Sequence, residues 1–186
     1  MSRMITILVA GITSLGLSHG VISHGVISPA QKATAVVTPS IVLTGTHSHV
    51  SERGYQRITS VKDWVTLWQK HKGQKDGEQY DLYFDPLEIP VIDFDRYMVI
   101  AIFQGNGSNS AGLNAVSVLE EQERIVLRFD DKTYQTIGPD GGGKQVTVYG
   151  FFVFPRSSKP VTLEEQVQGL KGKPDEWKER ITFPRL

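Results

Sequence analysis

Apolar and polar positions divide this chain into short runs of β character, interrupted by one stretch of helical period. Residues 97–103, YMVIAIF, form a continuous apolar run rich in β-branched and aromatic side chains that stops at Gly105. Such a run predicts a strand buried on both faces, at the middle of a sheet. Asp93 and Asp95 just before it mark a turn into the strand. Residues 145–154, QVTVYGFFVF, predict a second buried strand, ended by Pro155. Weaker runs predict strands at 41–46, 55–59, 113–119, 124–129 and 161–167, with Glu121, Gln122 and Glu123 as the tight connection of a hairpin. The helical stretch opens at Ser60, whose hydroxyl can accept from the free amides of a first turn, and Asp63 suits the positive helix end. Val61, Trp64, Val65, Leu67, Trp68 and His71 follow at three-to-four spacing, and Gly73 ends the helix. Pro174 predicts one short helical turn over 174–178, followed by the extended segment ITFP. Strands in runs with one good helix predict an α+β fold, a mainly antiparallel β-sheet with one packed amphipathic helix.

The first 35 residues read differently. Arg3 supplies a short positive region, and residues 4–17, MITILVAGITSLGL, are apolar and uncharged, which together predict a signal peptide. Two small-residue cleavage sites follow, Ser28-Pro29-Ala30 and the preferred Ala33-Thr34-Ala35. A tandem duplication, SHGVI twice over 18–27, lies between them and the apolar run. The Gly, Ser and His residues after Leu17 make a poor hydrocarbon span, so no stable membrane span is expected after processing. The expected organisation is a signal peptide at 1–35 and a single exported domain at 36–186, in the periplasm or secreted.

Composition narrows the function classes. Hydrophobic residues at 39% and charged ones at 22% are those of a globular chain rather than a disordered one. Twenty acids balance twenty bases, so no basic face is offered to nucleic acid or to an anionic membrane. The absence of cysteine excludes disulfides, thiolate metal sites, cysteine nucleophiles and a lipidated cysteine.

Few motifs carry chemistry. Residues 138–144, GPDGGGK, match the form of a phosphate-binding loop, but Gln145 stands where a Ser or Thr should ligate magnesium and a strand follows instead of a helix. The segment is read as an ordinary loop. His47 and His49, two apart, would point the same way on a strand, as a metal pair does, with His71 as the one evident third ligand. Ser48 between them would point to the opposite face, so it cannot use either as a base. Asp81, Asp85, Asp93 and Asp95 gather four carboxylates, yet without the calcium-loop pattern, and are read as turn residues. Trp64 and Trp68 at helical spacing are read as core. After the central strand, residues 104–113 are small and polar and predict a loop. Asn106, Ser108, Asn109 and Ser110 on it are the candidate partner-binding residues, offering adaptable donors and acceptors from the end of a rigid strand. No catalytic constellation emerges, and no cofactor is expected.

These pieces together resemble the protease-complex PrcB family, in its C-terminal-type domain. The resemblance rests on Gly45-Thr46-His47-Ser48, on Ile58-Thr59-Ser60 with Trp64 and Leu67-Trp68, and on Val91-Ile92-Asp93-Phe94 with Met98-Val99-Ile100 and Phe103-Gln104-Gly105. It covers about 41–155, leaving 156–186 as a C-terminal extension. Where that family has a Thr-Gly-Gly-Tyr-like motif, this chain reads Asn109-Ser110-Ala111-Gly112-Leu113. The resemblance implies a non-catalytic exported accessory or binding protein whose partner is another envelope protein, a protease among the candidates. Two alternatives come from other classes: a carboxylate-dependent hydrolase of the cell envelope using Asp85, Asp93 and Asp95, or a metal-binding module using His47 and His49.

Overall fold

A computed structural model describes residues 35–74, 87–136, 143–167 and 174–186. The predicted signal peptide up to residue 34, the duplication, Asp81 and Asp85, and most of the GPDGGGK segment therefore lie outside the described residues. Lys32–Leu186 form a compact unit of their own. In chain order its elements are β1 (Ala35–Val36), β2 (Ile41–Gly45), β3 (Arg53–Ile58), α1 (Val61–Lys72), β4 (Tyr97–Ser108), β5 (Ser110–Glu120), β6 (Ile125–Thr133), β7 (Gln145–Pro155), β8 (Val161–Val167) and β9 (Glu176–Phe183).

The fold is α+β and mainly β, as the pattern predicts, but the strands form two sheets. One runs β1-β5-β6-β8-β9 and the other β2-β7-β4-β3. All neighbours are antiparallel except β6 and β8, which are parallel because β7 intervenes in sequence and belongs to the other sheet. β4 and β7 are the central strands of the four-stranded sheet, and alternation sends their side chains into two separate cores. Met98, Ile100, Ile102, Val148, Phe152 and Phe154 meet Leu113, Val118, Leu127, Phe129 and Leu163 of the five-stranded sheet. Val99, Ala101, Phe103, Phe151 and Val153 meet Trp64, Leu67 and Trp68 of α1. The four-stranded sheet is thus the middle layer between a sheet and a helix, which explains why its two central strands read as unbroken apolar runs.

The helix begins and ends where its sequence signals stand. Ser60 Oγ accepts from the Asp63 amide at 3.2 Å and donates to Asp63 Oδ2 at 2.7 Å. Gly73 takes φ 79°, a left-handed conformation in which its amide reaches the carbonyls of Gln69 and Lys70. Lys70, His71 and Lys72 occupy the last turn, where the helix end favours cations.

Two expectations are corrected. Residues 104–113 are not a loop: β4 continues to Ser108, β5 starts at Ser110, and only Asn109 lies between them. The turn-forming composition is absorbed by a bulge, since pairing with β7 shifts register between Phe103 and Gly105. Gly105 has φ 77°, and a Cβ there would come within 2.8 Å of the Ser51 carbonyl oxygen. Beyond the bulge, Asn106, Gly107 and Ser108 pair regularly with Thr147, Val146 and Gln145. At the C-terminal end, the predicted helical turn over 174–178 is instead the approach to β9, because Glu176, Trp177 and Lys178 pair with Val167, Gln166 and Glu165 of β8. A single turn has little stability of its own, and a ladder of strand hydrogen bonds outweighs it.

Candidate functional site

The structure brings His47 and Asn106, two residues from different sequence arguments, into one cleft. β2 ends at Gly45, and His47 forms an isolated bridge with Thr147 of β7. Asn106 lies opposite the same Thr147 on the other side of β7. Thr46, His47, Asn106, Gln145, Val146 and Thr147 line a shallow cleft of about 170 Å³. The backbone here is fixed: the Asn106 amide donates to the Ser51 carbonyl at 3.0 Å and the Thr147 amide to the Thr46 carbonyl at 2.9 Å. His47 Nδ1 lies 2.9 Å from Thr46 Oγ1. His47, Asn106 and Ser108 are exposed.

Asn109 and Ser110 are placed differently. Asn109 takes φ 56°, one of two non-glycine residues in the left-handed region among the described residues. Its Oδ1 accepts from the Lys144 amide at 2.9 Å, its own amide donates to the Lys144 carbonyl at 3.0 Å, and its carbonyl accepts from Tyr134 at 2.8 Å. It is the pin where the chain passes from one sheet to the other. Ser110 is 4% exposed. Its hydroxyl donates to Asp131 and accepts from the Gly112 amide at 3.0 Å. Both residues have internal partners that leave them little to offer a ligand.

His47 and His49 are exposed while Ser48 and Val50 between and after them are buried, so the histidines do share an outward face. Among the described residues no group of three or more His, Asp or Glu side chains gathers as a metal site would require. His71 is not a third ligand: it is 2% exposed, under Tyr149 and against Phe151. Asp93 and Asp95 sit on the turn before β4, where Asp93 Oδ1 accepts from the Asp95 amide at 3.0 Å. Lys144 leads directly into β7, so no helix N-terminus follows the GPDGGGK segment.

Two polar arrangements escape the sequence reading. Ser48 Oγ lies 3.0 Å from His71 Nδ1, the spacing of a nucleophile and its base. Ser48 Oγ also accepts from the Val50 amide at 3.0 Å. Burial, with the nearby Lys72 and His49 charges, lowers the His71 pKa from its ordinary value to about 4. With exposures of 7% and 2%, the pair is a sealed hydrogen bond that joins the end of α1 to the chain after β2. The two residues stand twenty-three apart, and adjacency directs attention to His47 and His49 instead.

The second arrangement centres on Glu165 of β8, 6% exposed. Gln104 Nε2 donates to its Oε1 at 2.5 Å, Arg53 to its Oε2 at 3.4 Å, and Arg180 Nε to the same Oε2. It thereby ties β3 and β4 of one sheet to β8 and β9 of the other. Asp130, Asp131, Thr133, Glu165 and Gln166 line a neighbouring pocket of about 420 Å³, and burial raises the Asp131 carboxyl pKa despite the Ser110 hydrogen bond. A carboxylate on the same alternate positions as Val161 and Leu163 is the sequence signal for such an inward charge.

Comparison with protein-family models, with curated proteins and with solved structures yields no match for the chain. Among the described residues no helix is long and apolar enough to cross a membrane.

Proposed function

We propose that this chain is a non-catalytic, exported accessory module of the cell envelope that binds another protein, as its resemblance to the PrcB family implies, with a protease among the candidate partners. One observation carries the reading: Asn106 and Ser108 are exposed on a regularly paired strand end, and Asn106 shares a cleft with His47. Pockets for small molecules run to about 300–1,000 Å³, whereas this cleft holds about 170 Å³ and suits one or two side chains of a protein surface. Thr46, His47, Asn106, Gln145 and Thr147 supply donors and acceptors around it.

The test is capture of the partner from the native envelope by the parent protein and by a variant carrying His47→Ala, Asn106→Ala and Ser108→Ala together. The variant is expected to melt with the parent and to lose at least about tenfold in capture, or about 1.4 kcal/mol. Equal capture by both would place the contact elsewhere and overturn the assignment.

A further inference from the structure

The two sheets have four edges, and three are guarded. β1 is two residues long. β3 carries Arg53 and Arg57, and the Arg57 guanidinium is hydrogen-bonded to the carbonyls of Lys159 and Pro184 at 3.1 Å each. β9 carries Glu176, Lys178, Glu179 and Arg180, with a register irregularity against β8. Short length, charge and irregular pairing are the ordinary defences of an edge against joining another strand.

β2 has none of them. Residues 38–46 contain no charge, Pro39 lies outside the strand, and β2 pairs with β7 in unbroken register over its full length. Ile41 is 42% and Val42 48% exposed, and Val91 beside them is 97% exposed. Among the described residues no strand pairs with the outer edge of β2.

We propose that β2 is covered by β2 of a second copy of this chain. An extended backbone satisfies a row of strand amides and carbonyls in register, whereas water meets them one at a time. Two uncharged edges approach without like-charge repulsion. The ends of the strand fix the direction. Beside Ile41, Asp93 lines a cleft of about 340 Å³ with Ser40, Val91, Ile92, Tyr97 and Val153. Just past Gly45 stand the exposed His47 and His49. Antiparallel pairing sets the carboxylate end of each copy against the imidazole end of the other, whereas parallel pairing sets like against like. Antiparallel pairing also makes the interface isologous, with a two-fold axis normal to the sheet. The product is a continuous eight-stranded sheet, with both helices on one face. This inference goes beyond the binding reading and stands whether or not that reading does.

Sedimentation equilibrium of the Lys32–Leu186 unit tests it, over roughly 1–200 µM, since dimer population follows protomer concentration. The expected result is a reversible dimer, which Val42→Lys weakens at least about tenfold while the melting temperature at the lowest concentration holds. Hydrogen exchange on the parent protein supplies the reading that needs no variant: those β2 amides that face away from β7, alternate ones along the strand, should become protected as concentration rises. A monomer throughout the range overturns the proposal. So does a dimer that ignores Val42→Lys and leaves the β2 amides unprotected, or a monomer whose β2 amides become protected only on addition of a different protein.

Discussion

The two cores served by β4 and β7 are built by different rules. Between the sheets, Phe129, Phe152, Leu127, Leu163, Ile100 and Ile102 pack with no polar atom among their side chains. Between the sheet and α1, the large residues carry polar handles. Trp64 Nε1 donates to the Pro90 carbonyl and Trp68 Nε1 to the Leu87 carbonyl, both at 2.9 Å, and His71 is bonded to Ser48. Trp64 and Phe151 meet edge to face at 5.2 Å, and Trp68 lies 5.3 Å from His71. The apolar part of the inter-sheet core requires volume and shape, while charge between the sheets is held by the buried Glu165 network. The helix-side core also requires that each buried donor find its acceptor, because an unpaired one costs about 1–3 kcal/mol. The lesson is that α1 is fastened by hydrogen bonds to loop carbonyls as well as by burial.

Truncation probes the contrast most strongly. Trp64→Ala is expected to cost about 3–5 kcal/mol in urea unfolding, and Phe152→Ala a similar amount, since both rings are buried. Conservative changes separate the two layers. Trp64→Phe strands the Pro90 carbonyl and should still cost about 1–3 kcal/mol, whereas Phe152→Leu should fall near the lower end of that range. Equal costs for the two conservative variants would erase the distinction.

Acidification comes next, and on the helix side it acts through His71. His71 is neutral when folded, with its pKa lowered to about 4, so the unfolded chain takes up a proton that the folded chain refuses. Stability from this group is therefore complete above the ordinary value of 6.5 and is lost as pH falls from there towards 4. The gap corresponds to roughly 3 kcal/mol. Urea titrations at several pH values should show this slope in the parent and a flatter one in His71→Gln.

Smaller effects belong to the corner between the sheets. Asn109→Ala loses the hydrogen bond to Lys144 and places a Cβ without a polar tip at positive φ, for an expected loss of about 1–2 kcal/mol. Asn109→Gly, which keeps the backbone freedom, should cost less. Asn106→Ala with Ser108→Ala should stay within about 0.5 kcal/mol of the parent, as exposed side chains do. A large loss there would mean that β4 depends on those side chains beyond its bulge.

Much of this architecture is legible in the sequence, and particular residues show where legibility stops. Ser60 and Gly73 delimit α1 through local chemistry, so the helix is read nearly to the residue. The strand at 161–167 is likewise bounded by its own pattern. The division into two sheets is not readable, because strands buried on both faces, as β4 and β7 are, reveal neither which strands lie over them nor on which side. The extension of β4 through Gly105, Asn106 and Gly107 is hidden for another reason: local turn preference is overridden by pairing with β7 some forty residues away. The same holds for Glu176 and Trp177, which take strand geometry from β8. His47 and Asn106 are legible as exposed polar residues, but their meeting depends on Thr147, which no local pattern connects to either. Ser48 with His71, and Glu165 with its two arginines, are joined only by the tertiary fold.

The parallel pair β6 and β8 has a consequence in time. The chain leaves β6, crosses to lay β7 into the middle of the other sheet, and only then returns to place β8 alongside β6. The five-stranded sheet is completed only after the chain has passed through β7, the centre of the opposite layer. Of the seven strand pairings among the described residues, β5–β6 and β8–β9 are local and the other five join segments far apart in the chain, and closing those long loops precedes the contacts that reward it. Refolding is therefore expected on the millisecond-to-second scale of sandwich proteins rather than the microseconds of helical ones. Both sheets should appear in a single kinetic phase, with no state in which one layer stands alone.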